Sequence, residues 1–183
     1  MNLSIDPENI NGSFCKIADL LINEYDLVIV NSVYQVSNIE FYYYNETLHR
    51  DDNSHSFKYK RARVRQLLNS KWYIHKISIN PNFKHKGIDF TFGDGVSFGG
   101  ILIKEVIRIE DNKKFSQSKF VDELIDVLEP KDPDEFINMV EEQEKLTFNK
   151  RDKKSHIIEK CSRIGLANET FKDSLYAFKI QNF

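Results

Sequence analysis

The chain is predicted to fold as one α+β domain, built on a curved, mostly antiparallel sheet with packed helices. Three observations predict this. An apolar, alternating run extends from Tyr34 to Tyr44. Helical spacing appears mainly before Asn23 and after Ser118. The 183 residues amount to about one domain, and 40% hydrophobic with 13% aromatic content is enough to give it its own core.

The elements follow in order. Ser13 is read as the cap of a helix from Phe14 to Asn23, with Phe14, Ile17, Ala18 and Leu21 as its apolar stripe. Strands are expected from Asp26 to Ser32 and from Tyr34 to Tyr44, with a turn near Asn31 to Val33. Asn45 to Ser56 reads as a polar loop, and Arg61 to Leu68 as a short helix. Trp72 to Ile79 alternates as a strand, and Asn80-Pro81-Asn82 turns the chain. Gly87 to Gly93 and Phe98 to Ile103 read as two strands. The glycine-rich loop between them lacks the spacing of a phosphate-binding loop and is read as a hairpin connection. Asp89 reads as a surface residue flanking this turn, with pocket polarity as the lesser alternative. Ser118 precedes a stripe of Phe120, Val121, Leu124, Ile125 and Leu128, and Asp132-Pro133-Asp134-Glu135 has the composition of a helix start. Ser155, followed by Ile157, Ile158, Cys161 and Ile164 with Gly165 at the end, predicts a last helix.

Glu40 is the candidate chemical centre. It lies between Ile39 and the run Phe41, Tyr42, Tyr43, Tyr44, among groups that solvate a charge poorly. Burial raises the pKa of a carboxylate, and a group poised near neutrality can take a proton from water. In a strand Tyr42 and Tyr44 share the face of Glu40, while Phe41 and Tyr43 take the other. The plainer alternative is a solvent-facing Glu40 on a half-buried strand with ordinary strand-forming tyrosines.

Five segments occur in an informative order: Ser37-Asn38-Ile39-Glu40-Phe41-Tyr42, Asp51-Asp52-Asn53-Ser54-His55, Trp72-Tyr73-Ile74-His75, Ile101-Leu102-Ile103-Lys104, and the run from Glu159 to Leu166. This order resembles that of the methylpurine-DNA glycosylases, single-domain enzymes that excise alkylated purines from DNA. The resemblance implies that Glu40 is the general base activating a water against the anomeric carbon of a flipped nucleotide. It implies that Tyr42, His55 and His75 contact the extruded base, and that Lys104 stands in the place of an arginine that helps hold the nucleotide. Neither a metal nor a cofactor is implied. The sequence departs from the family where it reads Lys76-Ile77-Ser78-Ile79-Asn80-Pro81, since the family's aromatic-Gly-Met segment, which carries the wedge filling the gap left by a flipped base, is missing and no obvious wedge takes its place. Two alternatives stay open: the same fold acting on a nucleoside, modified nucleotide or single strand, and a non-catalytic binding protein.

Charge adds a partner expectation. Net charge is −2, yet from Asp51 to Lys104 there are ten Lys or Arg against four acids, and from Glu105 to Asn149 six against thirteen. Lys58, Lys60, Arg61, Arg63 and Arg65 follow His55 closely and are candidates for contact with nucleic-acid phosphates, or else a solvated helix face. The acidic segment at about 105–150 reads as a helical insertion, with a protein partner as one of its uses. Two cysteines and five scattered histidines give no metal-ligand spacing. Cys15 and Cys161 lie in apolar helical patterns and are expected to be reduced. No signal peptide or membrane-length apolar run is read, and a cytoplasmic monomer is expected.

Overall fold

The computed structural model describes residues 1–76, 79, 86–142 and 145–181. The architecture is α+β, one compact domain on a large, open, antiparallel sheet, as the alternation predicts. Residues 77, 78 and 80–82, which include the expected Asn80-Pro81-Asn82 turn, lie outside the described residues.

Helix α1 is Ile10–Asp19, followed by a π-helical turn at Leu20–Glu24. It starts earlier than the sequence reading because Asn9, not Ser13, is its cap: the Asn9 side chain accepts from the Gly12 N–H at 2.9 Å. The Ser13 hydroxyl is engaged elsewhere, accepting from the Asp6 N–H and donating to the Asn9 carbonyl. Strands β1 (Tyr25–Ile29) and β2 (Ser32–Asn45) form a hairpin, and β3 (His49–Arg50) returns against the end of β2. Short helices α2 (His55–Lys58) and α3 (Lys60–Gln66) precede β4 (Asn69–His75), β5 (Gly87–Phe92) and β6 (Phe98–Arg108). Then come β7 (Lys114–Ser116), α4 (Gln117–Leu128), α5 (Pro133–Ile137) and a second π-helical turn at Asn138–Glu142. Strands β8 (Leu146–Lys150), β9 (Ile158–Cys161) and β10 (Ala177–Ile180) complete the described chain.

The main path through the sheet runs β4-β5-β6-β2-β1-β8, with β10 and β9 added beside the middle of β2. One face carries the core. Ile39, Phe41 and Tyr43 of β2 point into it, and Phe14 of α1 stacks on Phe41 with ring centroids 4.5 Å apart. Residues of opposite parity emerge on the other face, where the candidate site lies.

Two expectations are corrected. The predicted last helix is β9, paired antiparallel with β10. Its spacing of Ile157, Ile158, Cys161 and Ile164 imitates a helical stripe, but Ile157 and Ile164 are exposed and the backbone pairs with a strand that arrives only at the end of the chain. The part of the family resemblance that rested on a late helix therefore falls on a strand. The acidic segment at about 105–150 is no surface insertion. Phe120, Val121 and Leu124 of α4 are buried in the core, and β8 extends the sheet by pairing with β1 along Tyr25–Ile29. Its apolar stripe does the packing, and two of its acids, Glu123 and Glu141, are buried as well, each paired with an arginine.

Candidate active site

The site is built along one row of the sheet. Tyr73 of β4 pairs with Asp89 of β5, Asp89 with Leu102 of β6, Leu102 with Glu40 of β2, and Glu40 with Ala177 of β10. Directly paired residues project to the same side, so Asp89 and Glu40 lie on one face, two strands or roughly 10 Å apart. Between Val36 and Ile39 the pairing of β2 with β6 is irregular, and Lys104 is a residue skipped in the register. Such bulges re-aim side chains, and Lys104 reaches Glu40 with Nζ 3.4 Å from Oε1.

A cavity of about 640 Å³ opens over this row. Glu40 is on its wall, 3% exposed. Its Oε2 accepts from the Tyr42 hydroxyl at 2.8 Å and its Oε1 from the Ile164 N–H at 3.4 Å. A carboxylate has about four acceptor positions, so these contacts leave room for a water. Burial and the Glu40 charge push the Tyr42 phenol far above its ordinary pKa, so it serves as a fixed donor.

Behind Tyr42 sits a group the sequence reading missed. The Arg163 guanidinium lies over the Tyr42 ring at 4.6 Å and near Tyr176 at 5.3 Å. Its Nη1 donates to Asp51 Oδ2 at 2.5 Å and to the Phe41 carbonyl at 3.0 Å, and both ionic side chains are wholly buried. Tyr42 therefore offers a ligand one face, and its attraction for a cation is opposed by the guanidinium on the other.

The opposite wall holds His55 and His75, with ring centroids 4.0 Å apart. His75 Nε2 approaches Asp89 Oδ1 at 2.7 Å, off the line of a well-aligned hydrogen bond. Asp89 Oδ2 accepts from Gln66 at 2.7 Å, and Gln66 Oε1 in turn accepts from the Ser56 N–H beside His55. Gly100 is required here: a Cβ on it would stand 2.5 Å from Gln66 Nε2 and 2.7 Å from Asp89 Oδ2. Asp89, 1% exposed on a fully buried strand, is thus a site residue and not a turn-flanking one. A lone aspartate among the aromatic residues of that strand was the available signal.

Burial, then the neighbouring His75, lowers the His55 pKa from 6.5 to about 4, against the pull of Asp89. The folded state therefore keeps His55 neutral where the unfolded chain would bind a proton. The stability this represents is complete above about pH 6.5 and declines as pH falls towards 4. Urea titrations across that range should show a shallower acid loss for His55→Gln than for the wild type. Parallel profiles would exclude the coupling.

The basic tract divides. Lys58 lines the cavity with Lys76 and Lys104, and Lys60 is exposed on α3. Arg61 donates to the Ile74 carbonyl at 2.8 Å and pairs with Glu141, while Arg65 bonds the Trp72 and Glu141 carbonyls and Glu142 Oε1. Arg63 pairs with exposed Glu46 at 2.8 Å. Arg61 and Arg65 are therefore engaged within the fold, holding the second π-helical turn against α3 and β4. The lysines, not the arginines, face the cavity.

Tyr44 packs against Phe57 and Phe98 and does not join the site. Cys15 and Cys161 are free thiols, and among the described residues no His, Cys, Asp and Glu group is arranged to hold a metal. No helix among the described residues is long and apolar enough to cross a membrane. No protein-family model matches the chain, and no curated protein is detectably similar to it.

Proposed function

We propose that the cavity hydrolyses the N-glycosidic bond of a damaged purine nucleotide drawn out of DNA. The observation that carries this reading is Glu40: a buried carboxylate, fixed by Tyr42, Ile164 and Lys104, on the wall of a cavity of nucleotide size. With the base between Tyr42 and the His55–His75 wall, C1′ comes to Glu40. The water oxygen bonds to C1′ as the C1′–N bond breaks, and the water's proton passes to the carboxylate. The carboxylate also stabilises the oxocarbenium-like sugar. A purine alkylated at a ring nitrogen is cationic, leaves as a neutral base and needs no proton, whereas a deaminated purine leaves as an anion and takes its proton from solvent water. In this reading Lys58 and Lys76, which line the cavity, take backbone phosphates.

A second reading has one specific observation in its favour. With Arg61 and Arg65 engaged by Glu141 and Glu142, the phosphate-tracking tract is reduced, which favours a single strand or a free nucleotide. Release of free base from methylated and deaminated DNA, each double- and single-stranded, and from the corresponding free nucleotides decides between the readings. Faster release from duplex supports the first reading, and release from single strands or nucleotides alone supports the second. A folded wild type that releases nothing from any of them contradicts both.

A further inference from the structure

We infer that the loop at 163–168 is the element that probes a DNA duplex, and that Ile164 is the side chain that enters the base stack when a nucleotide is drawn into the cavity. The inference rests on the base-excision reading above. Ile164 is 82% exposed, the most exposed large hydrophobic side chain among the described residues. A single exposed isoleucine is ordinary on a protein surface. This one is held in place on both sides and stands at the cavity's lip.

On one side its own N–H donates to Glu40, and the preceding Arg163 is locked to Asp51 and the Phe41 carbonyl. On the other, the Asn168 N–H donates to Asn53 Oδ1 at 2.9 Å, and the Asn168 side chain donates to the Asp52 carbonyl at 2.7 Å. Gly165 makes the bend between them with φ 77°, and nothing lies within 4 Å of where its Cβ would be. Gly165 is therefore open while the loop's ends are fixed. Ile164 is tied through its backbone N–H to the proposed general base, so its exposed side chain stands beside the path of a nucleotide towards Glu40.

Drawing a nucleotide from a duplex costs a few kcal/mol of unstacking, and an apolar wedge between base steps offsets part of it. Tyr59, the other exposed large hydrophobic side chain lining the cavity among the described residues, is packed edge-on to His55 at 5.1 Å and forms part of the wall. Because only a stacked substrate needs a gap filled, Ile164 should matter for duplex and not for single strands.

The test compares wild type, Ile164→Ala and Ile164→Phe on one lesion-bearing sequence, as a duplex and as a single strand. Ile164→Ala, which keeps the backbone N–H that Glu40 accepts from, is expected to lower the ratio of duplex to single-strand base release about tenfold, and Ile164→Phe to restore that ratio. A 2-aminopurine next to the lesion should brighten on binding the wild type and stay dim with Ile164→Ala. An equal loss on both substrates, or no loss on duplex with unchanged 2-aminopurine signals, overturns the wedge. Absence of release by the wild type from either form overturns the base-excision reading itself, and the wedge with it.

Discussion

Glu40→Gln is expected to preserve the fold and lower base release about a thousandfold, within the range for loss of a general base. Glutamine keeps the volume of the buried side chain, and its carbonyl oxygen can still accept from Tyr42 or from the Ile164 N–H. What it loses is the ability to take a proton and to oppose positive charge on the sugar. Binding of lesion-bearing DNA should therefore stay within a few-fold of the wild type while turnover collapses, a split that a merely structural residue would not give. Equal losses of binding and turnover, with an unchanged melting curve, would make Glu40 a binding residue only.

Asp51→Ala is expected to destabilise the protein by about 3–5 kcal/mol, because it leaves Arg163 buried without its counter-charge. The remaining partners of that guanidinium are the Phe41 and Phe171 carbonyls and two aromatic faces, none of which carries a full charge. Asp51 Oδ1 also accepts from the Asn53 N–H, so the loop leading to His55 loosens at the same time. Replacing both members, as in Asp51→Leu with Arg163→Met, should cost less than Asp51→Ala alone. Denaturant unfolding measures this directly, and a single substitution within about 1 kcal/mol of wild type would show that the pair is not the constraint described here.

The sequence discloses this site unevenly, and the reason is the range of each interaction. The alternation around Glu40 is local, so the split between Phe41 and Tyr43 in the core and Glu40 and Tyr42 at the cavity is legible from five residues. His55, His75 and Lys104 come from the order of motifs, and all three line the cavity. Asp89 reads as a turn-flanking residue because its turn-rich neighbourhood outweighs a short strand, whose six residues are all buried in the fold. Arg163 and Ile164 were hidden for a different reason. Their segment carries a helical spacing, and only pairing with β10 makes it a strand followed by a loop. The arginines at 61 and 65 look available in sequence because Glu141 and Glu142 are far away along the chain.

The central claim is that Glu40 hydrolyses an N-glycosidic bond in this cavity. Single-turnover release of free base from a lesion-bearing duplex, measured for wild type and Glu40→Gln at saturating protein, tests it most directly. Release by the wild type, with the variant bound but about a thousandfold slower, is the predicted result. No release by a folded wild type, or equal release by both proteins, would contradict it.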